Sequence, residues 1–164
     1  MKLGTLINNS KDGDLVIVSK DNKKATKVEN IAKTLQEVLE NWDECSPKLE
    51  EVYKALNEGS LSSSFEVNEE DFHSPLPRAY QWLDGSAYIR HIILVRKARG
   101  AEPPQNLKTT PLMYQGGSDD FLAPREDIPH VASAHGLDFE GEVAVITGDV
   151  PMGTKAKDAE QYIK

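Results

Sequence analysis

One cysteine, Cys45, stands in 164 residues, which rules out disulfide staples and cysteine-rich zinc sites. No apolar run approaches the roughly 18 residues that a membrane-spanning helix needs. The start, Met1-Lys2-Leu3-Gly4, has no signal-peptide core. Positive charge is in short supply: 19 Lys and Arg face 27 Asp and Glu, a formal charge of −8 at pH 7. Without a basic block the chain has no means of gripping phosphate backbones, so nucleic acid is excluded as a partner. A cytoplasmic chain with no membrane partner is the expectation. Anionic small molecules stay open as ligands, provided a metal or local Arg and Lys offset the negative field.

Hydrophobic residues at 38% and charged residues at 28% suffice for a globular core with a polar lean. The length suits one domain or two small ones. Residues 1–27 read as strands with turns. Lys2-Leu3-Gly4-Thr5-Leu6-Ile7 and Leu15-Val16-Ile17-Val18 are separated by Asn8-Asn9-Ser10-Lys11-Asp12-Gly13-Asp14, and Asp21-Asn22-Lys23-Lys24 forms a second turn. The expected unit is a small antiparallel meander with half-buried strands. Periodicity then changes to that of a helix. Ile31, Leu35, Val38, Leu39 and Trp42 share one face. Ser46-Pro47 reads as the cap and first position of a second helix, which carries Leu49, Val52, Tyr53 and Leu56 and stops near Gly59. Both stripes are core faces, and Cys45 is a small residue between the helices.

Gly59-Ser60-Leu61-Ser62-Ser63-Ser64 has linker composition, and Ser74-Pro75-Leu76-Pro77 is a further break. A domain boundary within 72–78 divides the chain into 1–74 and 75–164. Beyond it, Asp84-Gly85-Ser86 reads as the start of a helix over 87–98, whose Arg96, Lys97 and Arg99 suit the negative pole of the helix dipole. Residues 100–130 read as loops with short strands, 137–146 as the best strand of this half, and 156–164 as the opening of another helix. The fold class is α+β.

Chemistry points first to Asp138, Glu140 and Glu142. Their alternation puts all three carboxylates on one face of a strand. The same face continues as the apolar Ala144 and Ile146, so the acids stand either where a buried strand opens into a cavity or on an exposed acidic edge. Crowded carboxylates in a cavity take up protons or hold a cation. Oxygen donors of this kind suit magnesium, manganese or calcium better than zinc. Asp84 and His91 lie seven residues apart, two helical turns, and on the expected helix they share a face. Asp84 also serves as an N-cap there, and His91 beside Ile92 and Ile93 has the surroundings of an ordinary core or surface histidine. Histidine is the commonest general base near neutral pH. Tyr114-Gln115-Gly116-Gly117-Ser118-Asp119-Asp120 has the makeup of a permissive binding loop, or of a plain turn, without phosphate-loop spacing.

Four segments carry a resemblance. They are Arg78-Ala79-Tyr80-Gln81-Trp82-Leu83-Asp84-Gly85-Ser86-Ala87-Tyr88, Leu94-Val95-Arg96-Lys97-Ala98-Arg99-Gly100, Pro111-Leu112-Met113-Tyr114-Gln115-Gly116-Gly117-Ser118-Asp119-Asp120-Phe121 and Leu137-Asp138-Phe139-Glu140-Gly141-Glu142-Val143-Ala144. In this order, and over Met1–Lys164, the chain resembles the bacterial fumarylacetoacetate hydrolase family. The resemblance implies that Glu140 and Glu142 bind a divalent metal, magnesium first with manganese or calcium as alternatives, and that Asp84 is a further ligand. It makes His91 the general base acting on water and Tyr114 a contact to a small anionic diketo acid. Ser86 stands where the animal enzyme carries a substrate-contacting tyrosine.

The implied fold is a small N-terminal domain followed by the first part of a mixed, β-rich catalytic domain. Family members are longer, and they carry a third carboxylate ligand and a catalytic lysine in segments not matched here. The chain is therefore expected to be a shortened form, inactive alone, of an enzyme that is a homodimer at full length. The implied reaction is hydrolysis of a carbon–carbon bond in a β-diketo acid such as fumarylacetoacetate, with the metal polarising the diketone and stabilising the enolate. A decarboxylase or hydratase acting on a related keto acid is the alternative within the family, and a non-catalytic metal-binding module the alternative outside it.

Overall fold

Leu15, Val16 and Ile17 follow one another without a polar residue between them, and a strand of that kind is stable only when both of its faces are covered. In the computed structural model, which describes residues 1–117, 120–130, 132–137 and 139–164, both faces are covered and all three residues are fully buried. The described residues are α+β and divide into two units, one of Met1–Pro77 with Phe121–Lys164 and one of Arg78–Asp120. The Ser74–Pro75 break lies inside the first. No helix among the described residues is long and apolar enough to cross a membrane.

In the first unit β1 (Leu3–Leu6), β2 (Asp14–Val18), β3 (Lys24–Lys27) and β4 (Phe65–Glu66) form an antiparallel sheet in sequence order. The meander expected over 1–27 is there, with Leu3 opposite Ile17 and Ile17 opposite Thr26. Leu15 and Ile17 point into a cluster with Val28, Ala32, Leu35, Val38, Cys45, Leu49 and Leu56. Val16 points the other way, against Leu6, Ala25, Phe65 and Phe72. Phe72 lies so close to the sheet that a Cβ on Gly4 would stand 2.9 Å from its ring, so the position has room only for glycine unless the ring moves. The outer edge of β1 is closed by the returning chain: the Ile7 N–H donates to the Asp71 carbonyl at 2.9 Å and the His73 N–H to the Thr5 carbonyl at 2.8 Å. An edge so covered offers no template for another strand.

The helices differ from expectation in their ends. The first, α1 (Leu35–Glu40), is short; Thr34 caps it by accepting from the Glu37 N–H at 3.2 Å, and the chain breaks at Asn41. Ile31 and Trp42, assigned to its stripe, lie outside it but still pack on the core. The second, α2 (Trp42–Asn57), begins well before Ser46-Pro47 and runs through it. Pro47 cannot donate to the Asp43 carbonyl, yet both residues are exposed and water can replace the missing bond. Burial decides the matter, because Cys45, Leu49 and Leu56 keep a helical stripe through the proline.

The serine-rich stretch after α2 is built in rather than loose. Ser60 bonds the Ala55 carbonyl through both its N–H (3.1 Å) and its hydroxyl (3.0 Å), and Ser64 bonds the Leu61 carbonyl through its N–H (3.4 Å) and hydroxyl (3.0 Å). Ser63 meets the buried Thr26 hydroxyl at 3.1 Å, and Leu61 packs on the core. Linker composition was thus misleading, since Ser60, Ser63 and Ser64 each supply a bond. At the far end, Thr147 bridges Ile163, and the Lys164 N–H donates to Ile146 at 2.9 Å. Residues 156–162 form two short 3₁₀ turns, Ala156–Asp158 and Glu160–Tyr162, in place of the expected helix.

The second unit contains β5 (Leu83–Gly85), α3 (Ile89–Ala98) and β6 (Met113–Gln115). The end of α3 is sharply defined. Gly100, at φ 65°, lets the Ala101 N–H reach the Arg96 carbonyl (2.9 Å) and its own N–H reach Lys97 (3.0 Å), the double bond that closes many helices on a glycine.

Two outcomes follow for stability. Leu49→Ala, which empties a fully buried position, is expected to cost about 2–5 kcal/mol in denaturant unfolding, whereas the exposed Leu94→Ala changes it by about 0.5 kcal/mol or less; equal costs would refute the assigned core. In the β2–β3 turn the Ser19 hydroxyl (2.7 Å) and the Lys23 N–H (3.1 Å) both donate to Asp21, holding its carboxyl below the usual range. A lowered folded pKa stabilises above the unfolded value, and that stabilisation is lost as pH falls through the folded one. The melting-temperature gap between wild type and Asp21→Asn should therefore close in acid, below about pH 4; a gap that widens there contradicts the assignment.

Candidate functional site

The second unit supplies a two-stranded ribbon on which several candidate residues meet. Leu83 lies opposite Gln115, Asp84 opposite Tyr114 and Gly85 opposite Met113. The ladder extends one step at each end, through the Gly116 N–H to the Trp82 carbonyl (3.0 Å) and the Ser86 N–H to the Leu112 carbonyl (3.0 Å). Residues directly opposite in an antiparallel pair project to the same face, and so do positions two apart. One face of the ribbon therefore carries Trp82, Asp84 and Ser86 on one strand and Tyr114 with Gly116 on the other. Asp84 and Tyr114 are both exposed.

This register corrects the expected helix start. Asp84-Gly85-Ser86 is extended chain, and α3 begins only at Ile89, after Tyr88, which makes no side-chain cap. Pairing with 112–116 satisfies the backbone of 82–86 in a way a helix start would not. Asp84 and His91 consequently share no helix face. His91 is exposed in the first turn of α3, and Ile92 beside it is the one buried residue of that helix.

Glu140 and Glu142 belong to the first unit. Asp138, the third member of the alternating trio, lies outside the described residues, as do Ser118 and Asp119 of the loop after Tyr114. The strand expected over 137–146 is absent from the described residues 139–146, which are neither strand nor helix. A strand is held by hydrogen bonds to a neighbour, and the pairing described nearby lies at the end of this stretch, around the bridge from Thr147 to Ile163. Glu140 and Glu142 are both exposed, and Phe139 and Val143 are 91% and 90% exposed. Ile146 alone in this stretch packs on the core. Among the described residues no group of three or more His, Cys, Asp or Glu side chains is placed to hold a metal ion.

The clear electrostatic shifts fall elsewhere, on structural pairs. Asp14, 2.6 Å from Lys27, holds that ammonium above its usual value, and the Lys48–Glu44 pair across one helical turn, at 2.8 Å, shifts both partners toward their charged forms.

Two family models match the chain. Residues 1–78 match the model for fumarylacetoacetase N-terminal domain 2, and residues 81–164 match that for the fumarylacetoacetate (FAA) hydrolase C-terminal domain. The chain belongs to the fumarylacetoacetate hydrolase family. No curated protein matches it.

For a fumarylacetoacetate hydrolase family chain, the sequence reading passed over two residues of the ribbon, Trp82 and Gly116. The signal was available in the alternation Trp82-x-Asp84-x-Ser86 facing Tyr114-x-Gly116, which is that of a strand pair. The exposure of Glu140 and Glu142 outside any strand or helix also has a measurable consequence. A protease of broad specificity should cut within 139–143 before any cut appears in 59–64, where Ser60, Ser63 and Ser64 are bonded. Mass spectrometry of early digests reads the order, and first cuts in 59–64 would contradict the structure.

Proposed function

We propose that this chain carries the first part of the active site of a hydrolase that breaks a carbon–carbon bond in a β-diketo acid such as fumarylacetoacetate. The observation that supports this reading best is the ribbon register, which sets the acidic Asp84 directly opposite Tyr114 and leads within a few residues to His91. In this reading His91 accepts a proton from water at a ring nitrogen, and the hydroxide formed adds to a carbonyl carbon of the substrate. The carbon–carbon bond then breaks, leaving a carboxylic acid on one side and an enolate on the other. The phenol of Tyr114 donates a hydrogen bond that orients the diketo acid. Residues 1–74 form the small N-terminal domain and 75–164 the beginning of the catalytic one; the enzyme acts in the cytoplasm, as a homodimer at full length.

A divalent metal on Asp84, Glu140 and Glu142 belongs to the same reading. The oxygens are of the right hardness for magnesium, manganese or calcium. The arrangement does not yet fit: Glu140 and Glu142 stand exposed outside any strand or helix, and no group of three donors is placed for an ion among the described residues. The same observation argues that residues 1–164 alone bind metal weakly and turn over no substrate.

The test uses the 164-residue chain and any longer product of its reading frame. Calorimetry on the former should give weak manganese binding that Glu140→Gln with Glu142→Gln removes; binding unchanged in the double variant takes these residues out of the site. The longer product should hydrolyse fumarylacetoacetate or an acylpyruvate and lose about 10²–10⁴-fold in kcat on His91→Ala. Hydrolysis that survives His91→Ala unchanged would remove His91 from the chemistry. Oxaloacetate decarboxylation without diketo-acid hydrolysis would favour the alternative reaction.

A further inference from the structure

We propose that Trp82 is a positioning residue for Tyr114, and that Gly116 is glycine so that Trp82 can do this. The two aromatic rings stand 5.6 Å apart between centroids, with planes inclined at 57°, within the range where tilted aromatic pairs attract each other. Trp82 does not face Tyr114 squarely across the ribbon. It is opposite Gly116, whose N–H donates to its carbonyl at 3.0 Å, and so reaches Tyr114 on the diagonal. That diagonal is open only because position 116 has no side chain. A Cβ placed on Gly116 would fall within the indole, onto Cε2, Cζ2 and Cδ2. Any other residue there must push the indole off the ribbon.

Tyr114 needs such a neighbour. Its side chain is 60% exposed and rises from a strand of three residues, so little else on the ribbon limits its rotamers. Tyr80 and Tyr88, at 75% and 72%, are more exposed still. An aromatic wall on one side removes part of the tyrosine's rotational freedom before any ligand arrives, which lowers the ordering cost of binding. That Tyr114 contacts a diketo acid rests on the function proposed above; that Trp82 orients Tyr114 does not.

Tyrosine ring-labelled NMR separates the two. The chain has five tyrosines, and the ring signal lost in Tyr114→Phe identifies Tyr114. In the wild type this signal should stand apart from those of the exposed tyrosines because of the indole ring current. Trp82→Leu and Gly116→Ala should each return it toward them, while Leu83→Ala, on the opposite face, leaves it in place. A Tyr114 signal indifferent to both Trp82→Leu and Gly116→Ala would overturn the proposal. Should Gly116→Ala melt the ribbon, Trp82→Phe decides, since it keeps a smaller ring on the same backbone: a partial return supports the pairing, and no change refutes it. Acetylpyruvate is then titrated. Movement of the Tyr114 signal in the wild type, weakened several-fold in Trp82→Leu, supports positioning toward substrate. Equal movement in both would refute that role. No movement in any variant, with the Trp82 dependence intact, would count against the substrate reading while the Trp82–Tyr114 pairing stands.

Discussion

Backbone N–H and C=O groups that leave water must find partners, and this requirement explains more of the chain than side-chain preference does. Around β2 it is met by pairing on both sides. The strand has neighbours on both sides, the edge of β1 is closed by 71–73, and the buried Thr5 hydroxyl donates to the Pro75 carbonyl at 2.7 Å. Once the polar groups are satisfied, Leu15, Val16 and Ile17 can all be buried, and the sheet can carry apolar clusters on both faces. Ser60, Ser63 and Ser64 serve the same end, each bonding a carbonyl or hydroxyl so that the crossing from α2 to β4 lies against the core.

The ribbon of the second unit meets the requirement on a smaller scale. Two strands of three residues, extended by one bond at each end, are enough to fix register but bury almost nothing. Isolated ribbons are marginal in water without a packed face, so the contact of Trp82 with the open backbone of Gly116 and with Tyr114 matters more than its area would in a core. Register alone then brings Asp84 and Tyr114 together, across a gap of thirty residues in sequence.

Legibility followed the same division. Strands over 1–27 were readable as short apolar runs between turn residues, and the stripe Leu49, Val52, Leu56 because it repeats with the period of a helix. Helix ends were read less well: Ser46-Pro47 has the chemistry of a start, but Cys45 and Trp42 already belong to the buried stripe, and packing outweighed one missing bond at an exposed proline. At Asp84-Gly85-Ser86 the local signal for a helix start was equally plausible. What it omitted was the partner strand at 112–116, a long-range fact that no window around Asp84 contains. Glu140 and Glu142 were found through family resemblance and alternation, and alternation describes a strand only when something pairs with it.

That last point binds the carboxylates to the fold. Residues 139–146 alternate Phe139, Gly141, Val143 and Val145 with Glu140, Glu142, Ala144 and Ile146. In a paired, extended strand the period of two would turn Glu140 and Glu142 to one face, about 7 Å apart along the chain, and Phe139, Val143 and Val145 to the other. In the structure these residues lie in no strand, and the apolar residues of that second face are exposed. At roughly 25 cal/mol per Å² the uncovered apolar area favours any arrangement that covers it, but cover alone does not orient a carboxylate. Backbone pairing does, because it fixes the direction of every second side chain. For Glu140 and Glu142, forming the strand and facing both carboxylates the same way are therefore one event, and an ion that needs both depends on the same hydrogen bonds that the sheet around β2 already possesses.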